Sequence, residues 1–334
     1  MNTVVRLMTL IFLLLSGASG LASEKITIMV GGIEKQIYLP AMLAERLGYL
    51  KETGLEIELL STSAGSSAER EMLSGVAHGV IGFYDRTINL QARGKLVQSV
   101  VQFSQAPGEV LLVAKEEAGQ IKSPADFRGK TLGVTGLGSA THFLVQYLTA
   151  AASVKSGEFS VVPVGAGDSF ISAMTLGRIS AGMTTEPTIS RLLALEAAEV
   201  LVDLRTPGNT EAVLGGVYPG ACLYMPSAWV SKHPEKVQKI VTAFVRTLRW
   251  IDRHSAREIA DLMPEAYYMG NKEMYVKALE AGKSMFTPQG EMPENGPRTV
   301  LRILKEFDKN VREKPINLRN TYTNEFVRAA NRPQ

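Results

Sequence analysis

Ten short apolar runs punctuate the chain, at 26–30, 55–60, 80–83, 96–103, 110–114, 131–134, 159–164, 179–183, 200–204 and 221–225. Several are almost wholly apolar, the pattern of strands buried on both faces. Between them lie helical stretches of crossover length. The alternation predicts α/β layers built on largely parallel sheets. In the last third the period changes. Val237, Ile240, Val241, Phe244, Leu248 and Ile251 fall on one face of a helix over 234–254, and Val300, Leu301, Ile303, Leu304 and Phe307 mark a second. This tail has no strands of its own and is expected to pack back on the first part of the fold.

A chain of 334 residues exceeds one ordinary core and suits two lobes. Two segments are suited to cross between lobes. One is the run at 96–103 with the following Ser104, Gln105, Ala106, Pro107 and Gly108; the other is 205–220, rich in Gly and Pro. If both cross, residues 23–104 and 211–334 form lobe one and residues 105–210 form lobe two.

The N-terminus reads as an export signal over 1–22. Arg6 precedes an apolar run at 7–15, and Gly20 and Ala22 are small residues placed for cleavage. The run is shorter than the roughly 20 apolar residues that a membrane-spanning helix needs. An exported, periplasmic, monomeric chain is expected. Cys222 is its only cysteine, which excludes an intramolecular disulfide and zinc sites built from several cysteines. The formal net charge is +3, with Lys and Arg scattered, so no nucleic-acid partner is indicated. His78, His142, His233 and His254 lack metalloenzyme spacing, and Gly136-Leu137-Gly138 begins a dinucleotide fingerprint that Thr141 leaves incomplete. No metal, cofactor or catalytic residue is expected.

One stretch carries more information. Ser123 suits an N-cap, Pro124 the first helical position, Asp126 the positive helix end and Gly129 the left-handed terminator. A strand over 131–134 follows, then the small-residue loop Thr135-Gly136-Leu137-Gly138-Ser139-Ala140-Thr141 and a helix. Here the sequence resembles the type II solute-binding proteins of ABC transporters. Ile37-Tyr38-Leu39-Pro40-Ala41-Met42-Leu43-Ala44-Glu45-Arg46-Leu47-Gly48-Tyr49-Leu50 resembles the first helix of their nitrate, sulfonate, taurine and thiamine-precursor branch. Gly54-Leu55-Glu56-Ile57-Glu58, the segment 71–82 and Leu176-Gly177-Arg178-Ile179-Ser180-Ala181-Gly182 continue the match in order. The resemblance implies a two-lobe α/β clamp, each lobe a mostly parallel sheet flanked by helices. It implies capture of a small solute by hinge closure and delivery to an ABC permease in the inner membrane. The solute class is a sulfonate or carboxylate; the alternatives are an aminopyrimidine thiamine precursor, or a sensory module that presents its ligand to a receptor. The branch also has relatives that build the pyrimidine from their own histidine, with a cysteine-rich iron motif. A chain with one cysteine cannot carry that motif.

The ligand site is expected where strand ends face helix starts. Gly65, Ser66 and Ser67 in lobe one, and Gly138, Ser139, Ala140 and Thr141 in lobe two, would turn free backbone N–H groups toward an anion. Lys35 and Gln36 follow the first strand. Phe83, Tyr84 and Asp85 close the third. Thr185 and Glu186 follow the strand at 179–183, Glu186 being equally suited to cap the next helix, and Tyr218 lies near the return crossing. Arg86 and Arg205 are read as solvated, so the anion is expected to be held by backbone donors and hydroxyls without a dedicated arginine.

Overall fold

The computed structural model describes residues 25–332 apart from Met269; the expected signal segment lies outside the described residues. Among the described residues, ten strands form two five-stranded sheets. The first contains β1 (Ile26–Val30), β2 (Ile57–Ser61), β3 (Gly79–Phe83), β4 (Val97–Gln102) and β10 (Ala221–Pro226), in the order β2-β1-β3-β10-β4. The second contains β5 (Glu109–Ala114), β6 (Thr131–Val134), β7 (Ser160–Pro163), β8 (Ala181–Thr185) and β9 (Ala198–Leu204), in the order β7-β6-β8-β5-β9. Central strands β3 and β5 are buried along their whole length, whereas edge strands β2 and β7 are partly open.

The sheets are mixed, and the connectivity explains how. β1, β2 and β3 run parallel to one another, as do β6, β7 and β8, but β10 is antiparallel to β3 and β4, and β5 is antiparallel to β8 and β9. Four strands of each sheet therefore end on the same side. β5 and β10 are the strands that follow a crossing from the other sheet. They start where the others end, at the facing rims, and must run the opposite way.

The helices are α1 (Leu39–Arg46), α2 (Gly65–Leu73), α3 (Asp85–Ala92), α4 (Ala140–Ala151), α5 (Asp168–Thr175), α6 (Thr188–Ala194), α7 (Pro207–Leu214), α8 (Ser227–Lys232) and α9 (Pro234–Arg253). The C-terminal part adds α10 (Ala256–Leu262), α11 (Lys272–Gly282), α12 (Gly296–Phe307), α13 (Lys309–Glu313) and α14 (Glu325–Asn331). None of the described helices is long and apolar enough to cross a membrane. The expected one-turn element at Ser123 is a 3₁₀ turn over Pro124–Phe127. Ser123 and Asp126 cap it reciprocally, and Gly129 is left-handed at φ 75°.

Alternation along β5 shows how the core is divided. Leu111 and Val113 join the large apolar cluster that extends through the first sheet, while Val110 and Leu112 pack into a second cluster with Phe170, Met174, Ile179 and Leu192. All six apolar residues expected to face inward from α9 are buried, and α9 packs against α1, α14 and β4.

Two expectations need correction. β8 is displaced by two residues, so that Thr184 and Thr185 belong to the strand; Gly177 turns left-handed at φ 66°, and Ile179 and Ser180 are still returning toward the sheet. The tail does not pack on the first lobe alone. α12 touches both α3 and α4, and Phe307 meets Phe143 of α4 at 5.5 Å between ring centroids.

Candidate ligand site between the two sheets

The strand ends of the two sheets face each other across a cavity of about 20 Å³, close to the space one water centre occupies. Lys35, Ile37, Tyr38, Gly65, Phe83 and Arg86 line it from the first sheet's side. Glu109, Thr135, Ser139, Ala140 and Thr185 line it from the second. The sides touch directly: the Gln36 N–H donates to the Glu186 carbonyl at 3.1 Å, and a Cβ built on Gly136 would stand 2.8 Å from that of Ala64. A wider hollow of about 620 Å³ near Gln105, Met292 and Arg328 lies on the outer surface, where no buried charged side chain lines it.

Charge is concentrated at the inner cavity. Arg86, in the first turn of α3, is 4% exposed. Its Nη1 lies 3.6 Å from Glu69 Oε2 and its Nε 3.9 Å from Asp85 Oδ1. Its guanidinium carbon stands 4.4 Å from the centroid of the Phe143 ring, so the arginine reaches from one sheet's side to the other. Arg86 Nη2 is buried without a hydrogen-bond partner among the described residues, and a Cβ on Gly138 would lie 3.7 Å from it. A guanidinium left with a free donor inside a low-dielectric cleft is suited to an oxyanion.

Lys35 donates to the carbonyls of Gly31 at 2.7 Å and Ser63 at 2.9 Å, leaving one of its three hydrogens. Burial lowers its pKa to about 8, with Glu34 and Glu109 opposing the shift. Glu109 opens β5 and is buried, with Oε2 unpartnered. Burial raises its carboxyl well above the ordinary range; Asp85 adds to the shift and Lys35 opposes it.

Asp85 is completely buried and accepts from the Tyr218 hydroxyl at 3.0 Å. Burial pushes its pKa up to about 6, against the pull of Arg86 and Tyr218. Because the folded-state value is raised, the folded form binds the proton more tightly than the unfolded form between about pH 4 and 6. Relative to Asp85→Asn, which does not titrate, the wild type should therefore lose roughly 3 kcal/mol as pH rises through that interval. Urea unfolding of both proteins at pH 4, 5, 6 and 7 measures this. A constant difference would show that Asp85 has an ordinary pKa.

The expected site residues separate into groups. Lys35, Gly65, Phe83, Ser139, Ala140 and Thr185 line the cavity, and Gly138 lies beside Arg86. Asp85 and Tyr218 form the layer beneath Arg86. Thr141 is occupied internally: its hydroxyl accepts from the Thr135 N–H at 3.0 Å and meets Ser139 Oγ at 2.7 Å. Ser66 faces Gly136, whereas Ser67 turns outward and accepts from Arg70. Gln36 binds the Tyr275 carbonyl with its side chain. Two residues are corrected. Tyr84 points away, its hydroxyl bonded to Thr321, because α3 turns it toward the C-terminal segment. The Glu186 side chain caps α6 through the Ser190 N–H and pairs with Arg205, which also pairs with Asp203. The reading of Arg86 as solvated is also corrected, since it is buried and lines the cavity. Glu109, Tyr38, Ile37 and Thr135 complete the lining. A charged residue opening the apolar run 110–114 was the available signal for Glu109.

The sequence pattern described as NMT1/THI5 like matches residues 37–256, about two thirds of the chain. The chain belongs to the NMT1/THI5-like family. A solved protein of Bordetella bronchiseptica RB50 is 34% identical, with 92% of this chain and 96% of that chain aligned at a TM-score of 0.88. The alkanesulfonate-binding protein SsuA from Xanthomonas axonopodis pv. citri, bound to MOPS, shares the fold at 14% identity and a TM-score of 0.70, over 92% of this chain and 97% of that one. Among curated relatives, the 4-amino-5-hydroxymethyl-2-methylpyrimidine phosphate synthase THI13 of Saccharomyces cerevisiae is 23% identical over 240 residues, covering 69% of this chain and 68% of that protein. The chain thus shares its fold with a solute-binding protein and its sequence family with a synthase.

Proposed function

We propose that this chain is the solute-binding component of an ABC-type importer and that it captures a small organic anion, of the sulfonate or carboxylate class, between its two lobes. The observation that carries this reading is Arg86, buried in the cleft between opposed strand ends with Nη2 unpartnered. The named function of the alkanesulfonate-binding relative supports it. On this reading residues 1–22 are a signal for export to the periplasm. Residues 23–104 with 211–334 form lobe one, 105–210 form lobe two, and a monomer delivers its solute to a permease. The name of the yeast relative favours a second ligand class, an aminopyrimidine. Catalysis is not part of the proposal: the single cysteine, Cys222, is buried in β10, and the reading needs no reacting group.

The cavity is too small for an organic solute, so capture requires the rims to part and close again. The test is calorimetry on the chain beginning near Ser23, against alkanesulfonates, carboxylates, nitrate and aminopyrimidines, followed by small-angle scattering with the best binder. At least one anion should bind and the radius of gyration should fall at saturation. Binding confined to neutral or cationic compounds would overturn the anion reading. Gly136→Val provides the structural arm. Its side chain must meet Ala64 where the rims touch, so the variant should remain expanded and bind about tenfold or more weakly. Unchanged scattering and affinity would argue against closure at this contact.

A further inference from the structure

Arg86 is held along two lines of contact, and both end on neighbouring residues of the C-terminal segment. One line is polar. Arg86 Nη1 lies 3.6 Å from Glu69 Oε2. Arg93 Nη1 donates to Glu69 Oε1 at 3.2 Å and to Asn89 Oδ1 at 3.4 Å. Asn89 Nδ2 in turn donates to Asp308 Oδ2 at 2.6 Å. The other line is aromatic. The Arg86 guanidinium carbon stands 4.4 Å from the Phe143 ring centroid, and Phe143 meets Phe307 at 5.5 Å between centroids, the planes tilted by 49°. Phe307 is the last residue of α12, and Asp308 follows it as the cap of α13. A circuit that starts at Arg86 therefore returns to it through one corner, Phe307-Asp308. α12 packs against both helices concerned, α3 with Arg86 in its first turn and α4 with Phe143 in its own. Glu69, Arg86, Asn89 and Arg93 all follow strands of the first sheet, whereas Phe143 follows a strand of the second. The bond from Asn89 to Asp308 thus ties Phe307 to the Arg86 side of the cleft, and Phe143 reaches both from the other side.

Resting on the reading of this cleft as an anion site, we propose that Phe307 is a positioning residue for solute capture, holding the Phe143 ring against Arg86 when the cleft is closed. The ring keeps water from the guanidinium. Glu69 and Asp85 engage Nη1 and Nε, which leaves Nη2 as the donor offered to the solute. Neither ring lines the cavity, so Phe307 acts on the solute only through Phe143 and Arg86. A cation against an aromatic face gains strength once desolvated, and a packed pair of rings adds to it. Withdrawal of α4 would break both contacts together, so both favour the closed cleft.

A double-mutant cycle on affinity tests this. Ethanesulfonate, propanoate, benzoate and nitrate are titrated calorimetrically into the chain beginning near Ser23, and the one that binds the wild type most tightly serves as probe. Phe143→Leu should weaken the probe about tenfold and Phe307→Ala about fivefold. The double variant should bind no more weakly than Phe143→Leu alone, because Phe307 works through that ring. Phe307→Tyr, which keeps a ring in place, should bind as the wild type does. If Phe307→Ala does not fold, Phe307→Leu takes its place in the cycle. Wild-type affinity in the Phe307 variant that lacks the ring would overturn its role while leaving the anion reading intact. Losses that add in the double variant would show a route other than Phe143 and overturn it as well, as would a Phe307→Tyr protein that binds as weakly as the variant without a ring. If none of the four anions binds the wild type, the anion reading fails and this proposal with it.

Discussion

Arg86→Ala should reduce anion binding by about one and a half to three and a half orders of magnitude, corresponding to the roughly 2–5 kcal/mol lost when one partner of a buried charged contact is removed. The same change should also destabilise the fold. Glu69 and Asp85, both buried, lose the guanidinium between them, and an uncompensated buried carboxylate costs on the order of 3 kcal/mol. Phe143 loses the planar group stacked 4.4 Å from its ring centroid. Two further variants separate binding from folding. Arg86→Met keeps much of the side-chain volume against Phe143 and should restore part of the stability without restoring affinity. Arg86→Lys keeps the charge but not the planar fork, and should recover only part of the affinity. Calorimetry paired with urea unfolding reads both quantities. Wild-type affinity in a folded Arg86→Ala protein would remove Arg86 from the site.

The largest effect on stability alone is expected at Gly182. In β8 it stands in register with Gly133 of β6. A Cβ there would lie 2.7 Å from the Gly133 carbonyl oxygen and 2.7 Å from the edge of the Phe170 ring. Backbone blocks one side and a fully buried ring the other, so neither neighbour can swing away. Gly182→Ala should cost about 1–3 kcal/mol, and Gly182→Val more, as overpacking forces strands β6 and β8 apart. Gly208→Ala is the control. It sits in the first turn of α7 with open space around it, so the change should be neutral or stabilise by up to about 1 kcal/mol. Midpoints of urea unfolding that are the same for Gly182→Val and wild type would show that the second sheet yields more easily than its packing indicates.

Strand positions were the most legible part of the sequence, because strands buried on both faces leave continuous apolar runs. Where boundaries moved, as at β8, a left-handed glycine had lengthened the return to the sheet. The direction of β5 and β10 was not legible. Apolar runs carry no polarity, and only the path of the chain between the two sheets makes these strands antiparallel. Small residues at helix starts marked Gly65, Ser139 and Ala140, which the structure places at the cavity. Arg86 was misread because arginine is mostly exposed, and nothing local reveals that Glu69, four positions into α2, will be buried beside it. Glu186 illustrates the reverse case: a carboxylate placed at a rim by sequence is spent on a helix cap and on Arg205.

The passages between the sheets are stitched together. The Phe103 and Ser104 N–H groups both donate to the Ala221 carbonyl, and Gly220 N–H donates to the Ser104 carbonyl. Ser104 Oγ accepts from the Ala221 N–H in turn. Two separate tethers would let one half of the molecule swivel and slide against the other. A laced pair behaves like a leaf spring: it flexes about the axis across its width and resists torsion and shear. An opening of the cleft would thereby be steered along a single path, one that would bring Arg86 back to the same ring and the same glycine.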